Sequence, residues 1–220
     1  MDIVLVSYIN DLEKAKTCID SISHYGIIQQ NPTIRLIVND TPEVHKTFKH
    51  TFSNYPHVHL YHYLELTDQW PWFLGWRSQQ WMKLVASKIV KSEWYLVVDS
   101  DMTITKPVEY QDLFQNNKAY CNLRKIADYQ EQLKTYACNA YRYWGLEPEE
   151  YILRESPPII MHTQTVQNLA NELNPAFIIN NNSLEFLLYW TYLRFKNLDQ
   201  ELHVSSPTWM HLGEIFLLHS

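Results

Sequence analysis

Asp99 and Asp101 stand one residue apart at the end of the run Trp94-Tyr-Leu-Val-Val-Asp-Ser-Asp101. Tyr95 to Val98 is apolar and rich in β-formers, the pattern of a central parallel strand. In an extended segment residues i and i+2 share a side, so the two carboxylates can converge on one object. Carboxylates held that close repel each other unless a proton or cation lies between them, and hard oxygen donors suit Mg2+ or Mn2+. At the carboxyl end of a strand the pair sits where open α/β sheets take their ligands. The competing reading is a turn or a helix cap, for which acids at strand ends are common.

The elements that must position this pair lie on either side of it. Gly75 to Val90 reads as an amphipathic helix feeding the strand, and Met102 to Pro107 as a short extended piece stopped by proline. On that helix Arg77, Gln80 and Lys83 follow at intervals of three and can reach toward one site; a solvated helix face is the alternative. Ahead of it come a strand over 3–8, a helix from Asn10 or Asp11 to about Tyr25 stopped by Gly26, and a strand over 34–38 ending in Asn39-Asp40. Strand, polar tip and helix in repetition is the rhythm of a doubly wound α/β sheet. A third strand is expected over 58–64, with His57 and His59 on the solvent face of a sheet edge rather than in a zinc site.

After Pro107 the pattern loosens. A short helix is expected over 110–117, a strand over 119–123, and an aromatic segment over 133–144. Ser156-Pro-Pro158 leads into a short strand, His162 stands at the junction, and a helix follows over 163–173. Asn182 or Ser183 is the expected cap of an apolar helix over 184–195, whose first turn carries Glu185. Acids favour helix N-termini, so Glu185 has an ordinary structural reading as well as a chemical one.

Composition narrows the class. A chain of 220 residues suffices for one domain with a sizeable core, and 46% hydrophobic with 19% charged residues marks it as globular. A net charge of -6 argues against a nucleic-acid partner, which would call for a basic face. The 8 Trp and 15 Tyr suit a carbohydrate or nucleotide site as well as a core. Cys18, Cys121 and Cys138 show no zinc spacing and read as free thiols. With no basic leader and no long apolar span, a soluble cytoplasmic protein is expected, with at most peripheral membrane contact.

Gly75, Gln79, Gln80, Lys83 and Leu84, then Tyr-Leu-x-x-Asp-x-Asp over 95–101, then Pro107, resemble a little-characterised family of bacterial glycosyltransferase-like proteins. That family is distantly similar to the glycogenin and galactosyltransferase group, and a hydrophobic strand ending in Asp-x-Asp is a feature of GT-A nucleotide-sugar-dependent glycosyltransferases. The resemblance runs over roughly residues 1 to 195 and is strongest over 75 to 107. It implies one α/β GT-A-like domain with a Rossmann-like, mostly parallel central sheet flanked by helices, 1–107 forming a donor half and 108–220 an acceptor half.

The implied activity is metal-dependent transfer of a sugar from a nucleoside diphosphate sugar, UDP-linked by preference, to a hydroxyl of a glycan or lipid-linked acceptor. Asp99 and Asp101 would carry Mn2+ or Mg2+, with His211 of a late His-x-Gly as a third ligand, although the lysine expected shortly after it is missing. Ser7, Tyr8 and Asp40 would meet the nucleoside, and Arg77, Gln80, Lys83 and Ser100 the rest of the donor. Glu185 would be the general base if the enzyme inverts, the sequence leaving stereochemistry open, and His162 would stand on the acceptor side, with a structural cap contact as its equal competitor. Two other classes compete. A sugar nucleotidyltransferase would carry a glycine-rich N-terminal loop, and the first 30 residues hold only Gly26. A non-catalytic glycan- or nucleotide-binding module on the same fold is the other.

Overall fold

A computed structural model describes residues 1–28, 32–68, 75–205 and 215–218. In chain order the elements are β1 (Asp2–Ser7), α1 (Leu12–Tyr25), β2 (Ile34–Val38), α2 (Pro42–Thr51), β3 (Val58–His62), α3 (Trp76–Val85), β4 (Trp94–Asp99) and β5 (Met102–Ile104). Then come α4 (Tyr110–Leu113), β6 (Phe114–Gln115), β7 (Lys118–Cys121), β8 (Leu123–Lys125), α5 (Glu131–Tyr143), β9 (Tyr151–Leu153) and β10 (Ile159–His162). The chain closes with α6 (Thr163–Glu172), α7 (Ala176–Ile179), α8 (Glu185–Lys196), α9 (Asp199–Leu202), β11 (His203–Ser205) and β12 (Phe216–Leu218).

The protein is a mixed α/β structure around a five-stranded sheet of order β10-β4-β1-β2-β3. β1 pairs in parallel with both β2 and β4, β2 with β3, and only β10 runs antiparallel. The central strands are apolar on both faces because helices cover both faces. Val4, Val6, Tyr95 and Val97 point to the side packed by α3, α5, α6 and α8. Ile3, Leu5, Leu96 and Val98 point to the side packed by α1 and α2. In α1 the residues at helical spacing, Ala15, Cys18, Ile19 and Ile22, are the buried ones, and Gly26 at φ 80° ends the helix with its N–H donated to the Ile22 carbonyl.

Several local expectations are corrected. The third strand stops at His62, where a 3-10 turn over Tyr63–Glu65 begins, with Glu65 accepting from the His62 N–H. His59 is exposed on that edge strand, whereas half-buried His57 bonds the Ser23 hydroxyl at 2.8 Å. The helix expected over 110–117 is a single turn followed by a β6–β7 hairpin. Asn116 and Asn117 both adopt positive φ there, which suits a tight hairpin turn. Neither Asn182 nor Ser183 caps α8: the cap position is Leu184, and the Ser183 hydroxyl donates instead to the Tyr136 carbonyl in the core. Among the described residues no helix is long and apolar enough to cross a membrane.

Candidate functional site

The chain lays β1, β2 and β3 outward in one direction, then returns to place β4 on the other side of β1. The carboxyl ends of β1 and β4 therefore flank the point where strand order reverses, and loops leaving them in opposite directions open a crevice. Val6 is the register partner of Asp99, so Tyr8 and the Asp99-Ser100-Asp101 tip emerge side by side. Helix α3 closes this crevice. Its start is Gly75, at φ 57° and ψ −127°, a conformation open to glycine and strained for a residue with a Cβ. Buried Asn39 at the tip of β2 donates to Ser78 Oγ at 2.8 Å, and Ser78 Oγ donates to the Gly75 carbonyl at 2.8 Å.

Two clefts meet there. The smaller, about 370 Å³, is walled by Tyr8, Asp11, Gln79, Ser100 and Asp101. The larger, about 460 Å³, is walled by Arg77, Gln132, Tyr136, Ser156, Asn181 and Glu185. Trp76, Lys83 and Asp99 line both.

At their junction lies a buried charge cluster. Lys83 Nζ is 2.8 Å from Asp99 Oδ1 and 3.2 Å from Glu185 Oε1. Lys83 is 4% exposed and Glu185 1%. Burial works to lower the Lys83 pKa, but the Glu185 and Asp99 carboxylates outweigh it and hold the ammonium above its ordinary range. Burial pushes the Glu185 carboxyl up to about 7 against the pull of Lys83. With its amide nitrogen turned to Glu185, Gln80 donates to the carboxylate and accepts from Trp76 Nε1–H at 3.1 Å. The exposed indole of Trp76 is thereby tied through Gln80 to the buried Glu185.

Asp101 is partly buried, and its Oδ1 is a buried atom with no hydrogen-bond partner among the described residues. Burial first, then the neighbouring Asp99 carboxylate, raises its pKa above the ordinary range. An orphaned hard oxygen beside a second carboxylate is a donor set that fits Mg2+ or Mn2+. Among the described residues no group of three or more His, Cys, Asp or Glu side chains is arranged to hold a metal. Asp99 and Asp101 would thus be a two-carboxylate holder, leaving the rest of the shell to ligands other than these side chains. His211 lies outside the described residues.

The structure brings Tyr8, Arg77, Gln80, Lys83, Asp99, Ser100, Asp101 and Glu185 to these clefts or their walls, whereas Ser7, Asp40 and His162 do not line them. Lys83, expected to meet a diphosphate, is spent on two carboxylates; Arg77 is the more exposed cation, with only a long 3.4 Å contact to the Ile179 carbonyl. Ser7 is fully buried, with a hydroxyl that has no partner among the described residues. Asp40 accepts from the backbone N–H of Ile9 at 3.0 Å and of Thr41 at 2.7 Å, which makes it a brace between the β1 and β2 tips.

His162 takes its structural reading and not the acceptor-side one. β10 runs antiparallel to β4 with His162 opposite Trp94, so it sits at the end of the sheet remote from Asp99. Its Nδ1 pairs with Thr165 Oγ1 at 2.8 Å and its ring packs on Trp94. The same antiparallel course carries Ser156 and Pro157, before β10, to the larger cleft instead. By sequence the aromatic stretch 70–76 reads as a core plug or a substrate-facing wall, and its last residue, Trp76, lines both clefts. Sequence reading missed Gln132, Tyr136 and Asn181.

Residues 3–220 match the family of unknown function DUF6492. The chain belongs to that family. No curated protein matches it. The DUF6492 description names no activity, so the function of this DUF6492 chain is argued from the two clefts and the charge cluster between them.

Proposed function

We propose that the protein is a metal-dependent glycosyltransferase of GT-A type, moving a sugar from a nucleoside diphosphate sugar to an acceptor hydroxyl. The observation that carries this is the junction of two clefts at the sheet's switch point, with Asp99 and Asp101 facing one and Glu185 facing the other. A transferase needs two substrates side by side, with charge stabilisation on the leaving group and a proton acceptor for the attacking one.

In this reading the smaller cleft takes the donor. Tyr8 and Asp11 would line its nucleoside end, and Asp99 and Asp101, in the same cleft, would hold the divalent cation. When bound, that cation neutralises charge developing on the leaving diphosphate. Lys83 keeps Asp99 in place from below, a positioning role. Glu185, held near pKa 7, takes the acceptor proton as the acceptor oxygen bonds to the anomeric carbon and the bond to the diphosphate breaks. An acid with a pKa near the working pH holds enough ionised form to accept a proton and enough basicity to keep it.

The test is a thermal-shift panel of UDP, GDP, CMP and dTDP with and without Mn2+. Binding to the folded state alone raises stability by about 2.7 kcal/mol at a hundredfold excess over Kd. A metal-dependent rise with one nucleotide, abolished in Asp101→Ala, is expected. A folded protein that responds to none of the four overturns the assignment.

A further inference from the structure

The larger cleft carries more information than a generic second-substrate site. Trp76 is 53% exposed, an unusual placing for a large apolar ring in a protein whose other tryptophans in the core, Trp81 and Trp190, are buried. Its orientation is not free: the indole N–H is engaged by Gln80. One face of a fixed aromatic ring is thus offered to the junction of the clefts. Sharing the cleft with it are groups that hydrogen-bond without net charge. Gln132 Nε2 donates to the Tyr136 hydroxyl at 2.6 Å, and Ser156 and Asn181 complete the polar wall.

The charges of this cleft leave no surplus for an anion. Lys83 is neutralised by Asp99 and Glu185, and among the lining residues the two cations Arg77 and Lys83 are outnumbered by Asp99, Glu155 and Glu185. A cleft of about 460 Å³ lies within the range of about 300–1,000 Å³ typical of small-molecule sites. A flat aromatic ligand would stack on Trp76 but leave the amides and hydroxyls of the cleft unpaired, which costs affinity. A saturated ring with a C–H face and a rim of hydroxyls satisfies both.

We infer that the larger cleft is a subsite for an uncharged pyranose ring, seated on the indole of Trp76 with a hydroxyl turned toward Glu185. The ring's role as acceptor rests on the transferase reading; its binding does not. An anionic sugar or a lipid diphosphate headgroup is disfavoured at this subsite by Glu155 and Glu185.

The experiment is saturation-transfer NMR on the whole chain with the methyl β-glycosides of glucose, galactose and N-acetylglucosamine, and with methyl β-glucuronide as the anionic counterpart. At least one neutral glycoside is expected to show transfer to its ring protons, with the glucuronide weaker. Trp76→Ala should weaken binding at least tenfold, Trp76→Phe should retain most of it, and Gln132→Ala should weaken it severalfold in a protein that is folded by circular dichroism. Absence of transfer to any neutral glycoside, equal binding of the glucuronide, or unchanged binding by Trp76→Ala overturns the inference. Glycoside binding in a protein that takes no nucleotide would remove the transferase reading and keep the subsite. Nucleotide binding without glycoside binding would remove the subsite alone.

Discussion

The ammonium of Lys83 lies 3.2 Å from the carboxylate of Glu185, and both side chains are withdrawn from solvent although 102 positions separate them in the chain. The same ammonium reaches Asp99 at 2.8 Å, so one buried cation holds acids from a strand tip and a helix start. A buried pair of this kind contributes little net stability over an apolar filling, but breaking it on one side strands a charge. It is therefore better read as a device for placing Asp99 and Glu185 than as a source of stability.

Lys83→Met should destabilise the protein by about 3–5 kcal/mol near pH 8, where Glu185, without its cation, must either stay charged in a buried site or take up a proton. The loss should shrink toward pH 5, because Glu185 can then take a proton. Adding Glu185→Gln to Lys83→Met should recover part of the loss. Urea unfolding of the single and double variants reads this coupling directly, and additive losses would mean that the two side chains do not interact in solution.

Glu185 also sets a pH dependence. Its carboxyl titrates near 7 folded against 4.5 ordinarily, so between those values the folded protein keeps a proton that the unfolded chain has lost. Its contribution to stability therefore falls as pH rises through that window, by up to about 1.4 kcal/mol per pH unit, and is constant above it. His162 and His203, whose pKa burial lowers, tilt the profile the other way. The readout is accordingly the difference between wild type and Glu185→Gln, which should slope across the window. Parallel profiles for the two proteins would contradict the raised pKa.

Asp101→Asn should leave the metal-free protein at least as stable as wild type, since it removes a carboxylate that burial and Asp99 both disfavour. The same change should abolish any Mn2+-dependent rise in melting temperature with bound nucleotide. A variant that loses stability without metal, or keeps the metal response, would show that Asp101 has a structural partner instead.

Gly75→Ala should cost about 1–3 kcal/mol, the range for a residue forced into a sparsely populated backbone conformation. A Cβ at this position meets nothing within 4 Å, so the cost is conformational and not steric crowding. Because Gly75 starts α3, the substitution should also reduce nucleotide binding by shifting Trp76 and Arg77. Calorimetry and the nucleotide panel on the same sample separate the two effects, and an unaltered melting temperature would argue against the strained geometry.

Much of the sheet was legible without coordinates, because local patterns encode it. The apolar run before Asp99, the polar tips after β1 and β2, and the helical spacing in α1 each reflect a strand or helix that must bury a set of side chains. Strand geometry led to the expectation that Asp99 and Asp101 meet, but β4 ends at Asp99 and the two acids are neighbours across a turn at 100–101; helix spacing put Gln80 and Lys83 on one face, and the family resemblance pointed that face at the donor. What spacing cannot encode is which ends of distant elements meet. His162 and Ser156 lie within one short segment, yet the antiparallel register of β10 on β4 sends His162 to the far end of the sheet and Ser156 to the cleft. Glu185 looked equally like a helix-start acid, and only the packing of α8 against α3 buries it beside Lys83 and lifts its pKa. Residue types and local periods specified the candidate chemistry; long-range register and helix packing decided which of those residues share a site.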